Sequence, residues 1–555
     1  MADSFDPARL IFEAPGPGSW RLDPVHVPRP WSPFHGEIFG PNVSAGAGES
    51  SRRYGALSGR GRFALVNGFG YGGMLPMDPS ELPARIAAAE ETFATRRWRA
   101  DLALWEQQAK PATIQSQLAL QRINTAALSP EDQLAHITRC RDNLAAMIQQ
   151  HHRFNMAATL PIADLIAHLR SWLQGGLGAR TDPPLGAFLA LVRGSAPESA
   201  GAMPELDRLA EALRADASSR ALLAEADHAE VITRLRAAPG AVGQAACAYL
   251  DLVGTRVLDG LEVGAQTGNE VPEVLVKGIR RAVDAGPPAP GRSTAAEEAR
   301  LLEALPAEHH ATFHALLAEA RHNSRLRDER GLYSDVWAAG ICRTAIIATG
   351  TRLAAQGRLA HAAHLVEANW EEMQAILRNQ GGPDADTLAA RARYRTSVDA
   401  SIAPPTLGDP PKPPTMPENL PPAALRIARA MMASGEAMFG LPPETAQEPT
   451  RLRGTGSSPG TVTGTARVIR SPAEFGRLQP GDILVTSTTT ESFNIVLPLL
   501  GGIVTDTGGL LSHAAIVSRE YGIPGVVGTR HATKRIPDGA TIRVDGLKGE
   551  VVLLP

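Results

Sequence analysis

The stretch GGIVTDTGGLLSHAAIVSREYGIPGVVG, residues 501–528, constrains the fold of this chain more than any other. Gly502-Ile503-Val504 predicts a short buried strand, and the apolar residues 514–517 predict the first turns of a helix. Gly522-Ile523-Pro524 ends that helix and precedes a second apolar strand. A strand, a helix and a strand in this order indicate a compact α/β unit.

The same pattern places His513 on a glycine turn at the start of the helix, after Gly508, Gly509 and Ser512. The free N–H groups and the dipole of a helix N-terminus favour a negative charge. A neutral imidazole there can attack phosphorus, and the turn would then support the phosphate. The spacing alone leaves two interpretations open: a phosphate-carrying histidine, or a helix cap at Ser512 beside an incidental histidine. Asp506 either orients the imidazole or stabilises the turn.

The segment GGLLSHAAIVSREYGIPGVVG resembles the active-site segment of the phosphohistidine swivelling domain in the phosphoenolpyruvate-utilising enzyme family. GSSPGTVTGTARVI (456–469) and DGATIRVDGLKGEVVLLP (538–555) resemble the first and last strands of that domain. The family includes phosphoenolpyruvate synthase, pyruvate phosphate dikinase, rifampin phosphotransferase and phenylphosphate synthase. The resemblance implies that His513 carries the phosphoryl group.

The 555 residues predict a multidomain protein. Residues 1–80 are rich in Gly, Pro and aromatic residues, and they predict an irregular arm with a hairpin around Asn67-Gly68. Residues 81–438 are rich in Ala, Leu, Arg and Glu, and they predict a large mainly α-helical domain with a proline-rich loop at 402–422.

Composition changes again after the helical domain. Residues 439–453 predict a hinge linker, because they combine prolines with no sustained apolar period. Residues 454–555 predict a small α/β (β/β/α) domain, the swivelling domain of the resemblance. Its strands are expected near 461–469, 482–487, 502–505, 525–527, 541–544 and 549–553.

Two helices of the large domain carry candidate site residues. The first is capped by Ser129 and presents one apolar face, which His151 continues three residues beyond Ile148. His151 is either a satisfied core histidine or a base or hydrogen-bond partner for an acceptor hydroxyl. The second is predicted over 325–356, with Arg330 on its apolar face, and an inward arginine needs a carboxylate or a phosphate.

Two segments resemble the helical acceptor-binding domain of rifampin phosphotransferase and its relatives: YLDLVGTRVLDGLEVGAQTGNEVPEVL (249–275) and RLRDERGLYSDVWAAGICR (325–343). The resemblance implies that this domain binds a hydroxylated acceptor. The candidate acceptor-pocket residues are His151, Arg256, Glu270, Tyr333 and Trp337, with Arg330 as a phosphate-binding residue.

The whole chain argues against several classes of partner. A net charge of −3 supplies no basic field for nucleic acid, and no apolar run is long enough to span a bilayer. The N-terminus lacks the apolar region of a signal peptide. The three cysteines lie far apart, without metal-ligand spacing, so a reducing cytoplasm is the expected location.

The sequence contains no G-x-x-x-x-G-K-[ST] loop, and no ATP-grasp domain is recognised in it. Phenylphosphate synthase divides the domains of its family between subunits, so the resemblance implies ATP and Mg²⁺ held mainly on a separate ATP-grasp subunit. The residues that would bind the metal are unknown. The expected function is a phosphotransferase subunit that passes phosphate through His513 to an organic hydroxyl. The alternative is a phosphohistidine carrier or regulatory binding protein without acceptor chemistry.

Overall fold

The structure is a computed structural model, which describes most of the chain. The described residues are 10–173, 184–196, 203–258, 260–285, 294–411, 419–439, 448, 450–490, 493–494 and 496–555. No helix among them is long and apolar enough to cross a membrane.

Helices dominate the chain before residue 440. They are α1 Pro33–Tyr54, α2 Leu82–Thr95, α3 Arg97–Leu104, α4 Lys110–Gln121, α5 Pro130–Arg153, α6 Asn155–Trp172, α7 Leu185–Leu189, α8 Pro204–Ala215, α9 Ala217–Leu222, α10 His228–Ala237, α11 Gly240–Val253, α12 Pro272–Ala285, α13 Ala295–Leu302, α14 His310–Asn323, α15 Leu326–Tyr333, α16 Asp335–Ala355, α17 Trp370–Leu377, α18 Ala385–Ser397 and α19 Pro422–Phe439. The predicted large mainly helical domain is confirmed.

The irregular arm predicted for residues 1–80 is wrong. Pro33 occupies the first turn of α1, where it needs no N–H, and Ser32 caps that helix by accepting from the His35 N–H at 3.4 Å. The proline therefore starts a helix instead of preventing one. The predicted hairpin is confirmed: β2 (Gly61–Val66) and β3 (Phe69–Met74) pair antiparallel around the Asn67-Gly68 turn. With β1 (Ser19–Leu22) and β4 (Thr406–Gly408) they form one sheet in the order β2-β3-β1-β4.

The single helix predicted over 325–356 is also wrong, because the chain breaks between α15 and α16. Ser334 at the break has φ −95° and ψ −99°, which is not helical. The break turns the start of α16 toward α5, against which α16 packs. It therefore brings Asp335, the first residue of α16, close to the end of α5.

The C-terminal domain is an α/β sandwich. Its strands are β5 Arg451–Arg453, β6 Thr455–Ser458, β7 Thr461–Val468, β8 Ile483–Thr486, β9 Gly502–Thr505, β10 Gly525–Val527, β11 Thr541–Asp545 and β12 Glu550–Leu553, with helices α20 His513–Tyr521 and α21 Ala532–Arg535. The sheet order is β5-β12-β11-β7-β8-β9-β10-β6. The neighbouring strands β7, β8, β9 and β10 are parallel to one another. The predicted α/β fold and its expected strands are confirmed.

The predicted hinge, 439–453, falls mostly outside the described residues. Its last part is not a linker, because Arg451–Arg453 form β5 and pair with β12. The helical domain, which precedes this segment, and the C-terminal domain, which follows it, contact each other. Leu510 and Leu511 pack with Ala433 and Ala437 of α19 in one apolar cluster, and Leu258 packs against the sheet domain in another.

Candidate active site

His513 is the first residue of α20, as the sequence predicts. The Ser512 hydroxyl accepts from the Ala515 N–H at 3.4 Å and caps the helix. Gly508 has φ +99°, and a Cβ there would lie 2.8 Å from the Ser512 side chain. The turn therefore requires glycine at 508, and this requirement places the histidine at the helix N-terminus.

The two ring nitrogens of His513 have different surroundings. Nδ1 lies 2.9 Å from the hydroxyl of Thr489, in the loop after β8. Nε2 is buried and has no hydrogen-bond partner among the described residues. We assign the proton to Nδ1, because the other tautomer would bury an N–H donor without an acceptor. Nε2 then carries a free lone pair, as a nucleophile requires.

Thr489 is a site residue that sequence reasoning missed, and it takes the place considered for Asp506. The Asp506 carboxylate accepts from the N–H of Thr533 at 3.0 Å and from the Thr533 hydroxyl. Asp506 therefore holds the start of α21, and its carboxylate bonds neither the His513 ring nor the glycine turn in the described structure. The only sequence signal for Thr489 is its place in the short loop after a predicted strand.

The glycine turn is held against the end of the helical domain by its backbone. Gly509 donates to the Met438 carbonyl at 3.0 Å, and Leu511 donates to the Ala437 carbonyl at 2.7 Å. Arg327 of α15 donates to the sulfur of the same Met438 at 3.4 Å. The turn that carries His513 thus lies next to the helix that carries Arg330.

Arg330 is buried, and the residues described around it do not include the carboxylate partner that one interpretation expected. It donates to the His151 carbonyl at 3.0 Å and to the Asn155 side chain, while its Nε has no hydrogen-bond partner in the described part of the chain. No carboxylate lies within 4.0 Å of it among the described residues. Burial and the neighbouring Arg327 lower the pKa of Arg330 to about 9. A buried cation in this state has a strong requirement for an anion.

His151, at the end of α5, is paired with a carboxylate that sequence reasoning missed. Its Nδ1 lies 2.8 and 2.9 Å from the two oxygens of Asp335. Burial lowers the pKa of His151 well below its usual value, and Arg330 lowers it further. Burial raises the pKa of Asp335 to about 6. At neutral pH the pair therefore consists of a neutral imidazole and a carboxylate.

Three further acceptor-pocket candidates lie together. The Arg256 guanidinium lies 4.8 Å from the ring centre of Tyr333 and 5.7 Å from that of Trp337. The Trp337 indole donates to Gln121 and to Thr255, both at 2.9 Å. This is a cation–π cluster at the start of α16.

Glu270 is occupied by a different contact. It binds Arg343 through both carboxylate oxygens, at 2.7 and 2.8 Å, and accepts from the Thr267 backbone at 2.9 Å. These bonds lower the pKa of Glu270 despite its burial. Glu270 therefore fixes the loop that carries Arg256. Because both of its carboxylate oxygens accept from Arg343 in the described structure, it is not available to bind an acceptor.

A small pocket of about 20 Å³ lies between the two domains beside the His513 turn. Its walls come from α6, α14 and α15 on one side and from α20 with the residues before it on the other. Asn323, fully buried in this wall, has a side-chain oxygen to which no described residue donates a hydrogen bond. Among the described residues, no group of three or more His, Cys, Asp or Glu side chains is placed to hold a metal ion.

Two family models match the chain. Residues 478–549 match the mobile domain of PEP-utilising enzymes, and residues 151–334 match the fourth domain of rifampicin phosphotransferase. The resemblance read from the sequence is confirmed, and the two matches contain His513 and Arg330 respectively. His151, Arg256, Glu270 and Tyr333 also fall in the second match.

Curated relatives match parts of the chain. A rifampicin phosphotransferase of Streptomyces sviceus is 44% identical over 131 residues, which cover 24% of this chain and 15% of the relative. A probable phosphoenolpyruvate synthase of Archaeoglobus fulgidus is 48% identical over 108 residues, 20% of this chain and 14% of the relative. An uncharacterised protein of Mycobacterium tuberculosis is 30% identical over 387 residues, 70% of this chain and 39% of the relative. The chain spans less than two fifths of the length of each.

Proposed function

We propose that this chain, whose last domain is a PEP-utilising enzyme mobile domain, is a phosphotransferase that carries phosphate on His513 to an organic hydroxyl. The observation that carries the proposal is the state of His513. Its Nδ1 is held by Thr489, its Nε2 is free, and its turn rests on the end of the helical domain beside Arg327.

The first half-reaction loads His513. The lone pair of Nε2 attacks phosphorus, the P–O bond to the donor breaks, and the donor oxygen leaves with the electron pair. The proton stays on Nδ1, where the Thr489 oxygen stabilises the positive ring. The N–H groups at the start of α20 and the helix dipole stabilise the added phosphate.

The second half-reaction unloads it. The acceptor oxygen bonds to phosphorus while the P–Nε2 bond breaks, and His513 returns to the neutral imidazole. Phosphoryl transfer depends mainly on positioning and on neutralisation of charge. Arg330 is suited to that task, because it is a buried cation whose bonds in the described structure go to neutral oxygens.

The donor is proposed to be ATP on a separate ATP-grasp chain, with Mg²⁺ held mainly by that chain and the phosphates. The three cysteines are free thiols, which fits the expected cytoplasmic location. The acceptor is proposed to be a small hydroxylated compound bound by the helical domain, in which Arg256, Tyr333 and Trp337 form a buried cation–π cluster.

The proposal is tested by chemical loading, which needs no partner. The purified chain is treated with ³²P-phosphoramidate, a small phosphoryl donor for histidine, and labelled peptides are identified by mass spectrometry. We expect acid-labile, base-stable label on His513 that is lost in His513→Ala. His531→Ala, an exposed histidine of the same domain, is the control and keeps the label on His513. Equal labelling of the His513→Ala domain would contradict the proposal.

A further inference from the structure

We propose that His151 and Asp335 together take the proton from the acceptor hydroxyl during transfer. The inference rests on the proposed function, and it assigns the base of the second half-reaction. Asp335 is the positioning residue, and His151 is the group that touches the acceptor.

The geometry of the pair resembles that of a general base held by a carboxylate. His151 Nδ1 faces both oxygens of Asp335 at 2.8 and 2.9 Å, so the N–H on that nitrogen has a charged acceptor. The Asp335 side chain is 1% exposed and that of His151 is 14% exposed. The carboxylate is thus sealed behind the ring, and the structure records no bond to Nε2 of His151 among the described residues.

The backbone makes room for this ring. A Cβ at Gly331 would lie 3.3 Å from Cε1 of His151, which is closer than side chains usually pack. Glycine at 331 therefore permits α15 to pass beside the imidazole. The break at Ser334 then places the Asp335 carboxylate on Nδ1. An unbroken helix, which the sequence predicts, would not place it there.

Arg330 connects the pair to the transferred group. Its guanidinium donates to the backbone carbonyl of His151 at 3.0 Å, so it lies next to the histidine. A phosphoryl group bound by Arg330 would therefore place an incoming hydroxyl within reach of the imidazole. The pair and the phosphate-binding cation belong to one site on the helical domain.

The proton balance of the step is complete. The hydroxyl O–H bond breaks, its proton goes to Nε2 of His151, and the oxygen forms the O–P bond. The P–Nε2 bond of His513 breaks, and its electrons return to a ring that keeps the proton on Nδ1. The imidazolium formed at His151 is stabilised by the Asp335 carboxylate, as in other histidine–carboxylate pairs.

The test separates the two half-reactions and uses acceptors of different acidity. The wild type, His151→Gln and Asp335→Asn are loaded with ³²P-phosphoramidate and freed of donor. They are then mixed with 4-nitrophenol, phenol or benzyl alcohol, or with buffer alone, so that transfer to water is also measured. His136→Gln is the matched control, since His136 is a buried histidine of the same helix. Thermal melting of each variant establishes that it is folded.

We expect equal loading of His513 in all variants. Transfer to benzyl alcohol and to water should fall about 10²-fold or more in His151→Gln, as for the loss of a general base. Transfer to 4-nitrophenol, which ionises readily, should fall much less. Asp335→Asn should act in the same direction, and His136→Gln should match the wild type.

Two results would overturn the inference in different ways. An equal fall for all acceptors would mark His151 as a structural residue, and unchanged transfer to water and alcohols would show that it has no role. Failure of the wild type to label His513 would instead contradict the proposed function itself.

Discussion

The two histidines proposed to act, His513 and His151, differ in what holds them. A threonine hydroxyl lies on Nδ1 of His513 at 2.9 Å, whereas a buried carboxylate lies on Nδ1 of His151 at 2.8 Å. A hydroxyl fixes the tautomer with little preference for the charged ring. A carboxylate favours the imidazolium and so helps the ring to gain a proton.

One side-chain type can thus serve two tasks, because the partner of the ring sets its chemistry. His513 must attack phosphorus and later leave it, so a neutral imidazole is required. His151 must accept a proton, so a nearby negative charge is useful.

The largest effect is expected from locking the two domains together. Ala437 and Leu511 share a backbone hydrogen bond of 2.7 Å across the interface. A disulfide from Ala437→Cys with Leu511→Cys should hold His513 at the helical domain. Oxidised protein loaded beforehand should still transfer label, but it should not complete repeated cycles with the donor enzyme, and reduction should restore them.

Each single-cysteine variant, oxidised in the same way, controls for the native thiols. Full cycling by the locked protein at the wild-type rate would show that His513 does not need to travel.

Arg330→Lys should slow transfer more than loading. Lysine keeps the charge but loses the planar fork, so we expect a fall of about 10- to 100-fold in transfer to the acceptor. Single-turnover measurements with preloaded His513 separate the steps. Equal slowing of both, or a large drop in melting temperature, would identify Arg330 as a structural residue.

Thr489→Val should slow loading by about 5-fold, the effect of one lost hydrogen bond of about 1 kcal/mol. The reason is that the Nδ1–H of His513 loses its hydrogen-bond acceptor. The ring is then no longer held in the tautomer that leaves Nε2 unprotonated. Thr490→Val is the matched control, because the neighbouring hydroxyl faces the Leu258 carbonyl at 3.4 Å instead. The rate of labelling by phosphoramidate measures the effect, and equal rates for the two variants would remove Thr489 from the site.

The smallest effect on transfer is expected from His35, a buried histidine whose two ring nitrogens both lack a hydrogen-bond partner among the described residues. Burial lowers its pKa from 6.5 to about 4. Between these values the unfolded chain binds the extra proton, so stability falls as the pH falls from 6.5 to 4. The loss is up to about 3 kcal/mol. His35→Leu should flatten this pH dependence in urea unfolding. An unchanged dependence of the unfolding free energy on pH would show that His35 does not cause it.

Sequence reasoning was most effective in the C-terminal domain. There the glycine turn, the cap at Ser512 and the short strands are all local features, and each is visible within a few residues of His513. The turn requires glycine at 508 because of its own backbone conformation, so the turn can be recognised from the sequence alone.

The helical domain was harder to predict because its site is built from distant pieces. The 325–356 stretch has a helical period throughout, yet the chain breaks at Ser334, and only packing against α5 explains the position of Asp335. Glu270 was predicted to line the acceptor pocket, but Arg343, 73 residues away, binds its carboxylate. The residues next to Asp335 and Glu270 in the sequence contain no pattern that predicts either contact.

The central claim is that one phosphoryl group passes through Nε2 of His513 to a hydroxyl. The direct measurement is a pulse-chase: the chain is loaded with ³²P, the donor is removed, and the hydroxylated acceptor panel is added under rapid quench. We predict that label leaves His513 at the rate at which it appears as an O-phosphate, and that His513→Ala yields none. Phosphorylated acceptor formed by His513→Ala, or formed before His513 loses label, would contradict the account.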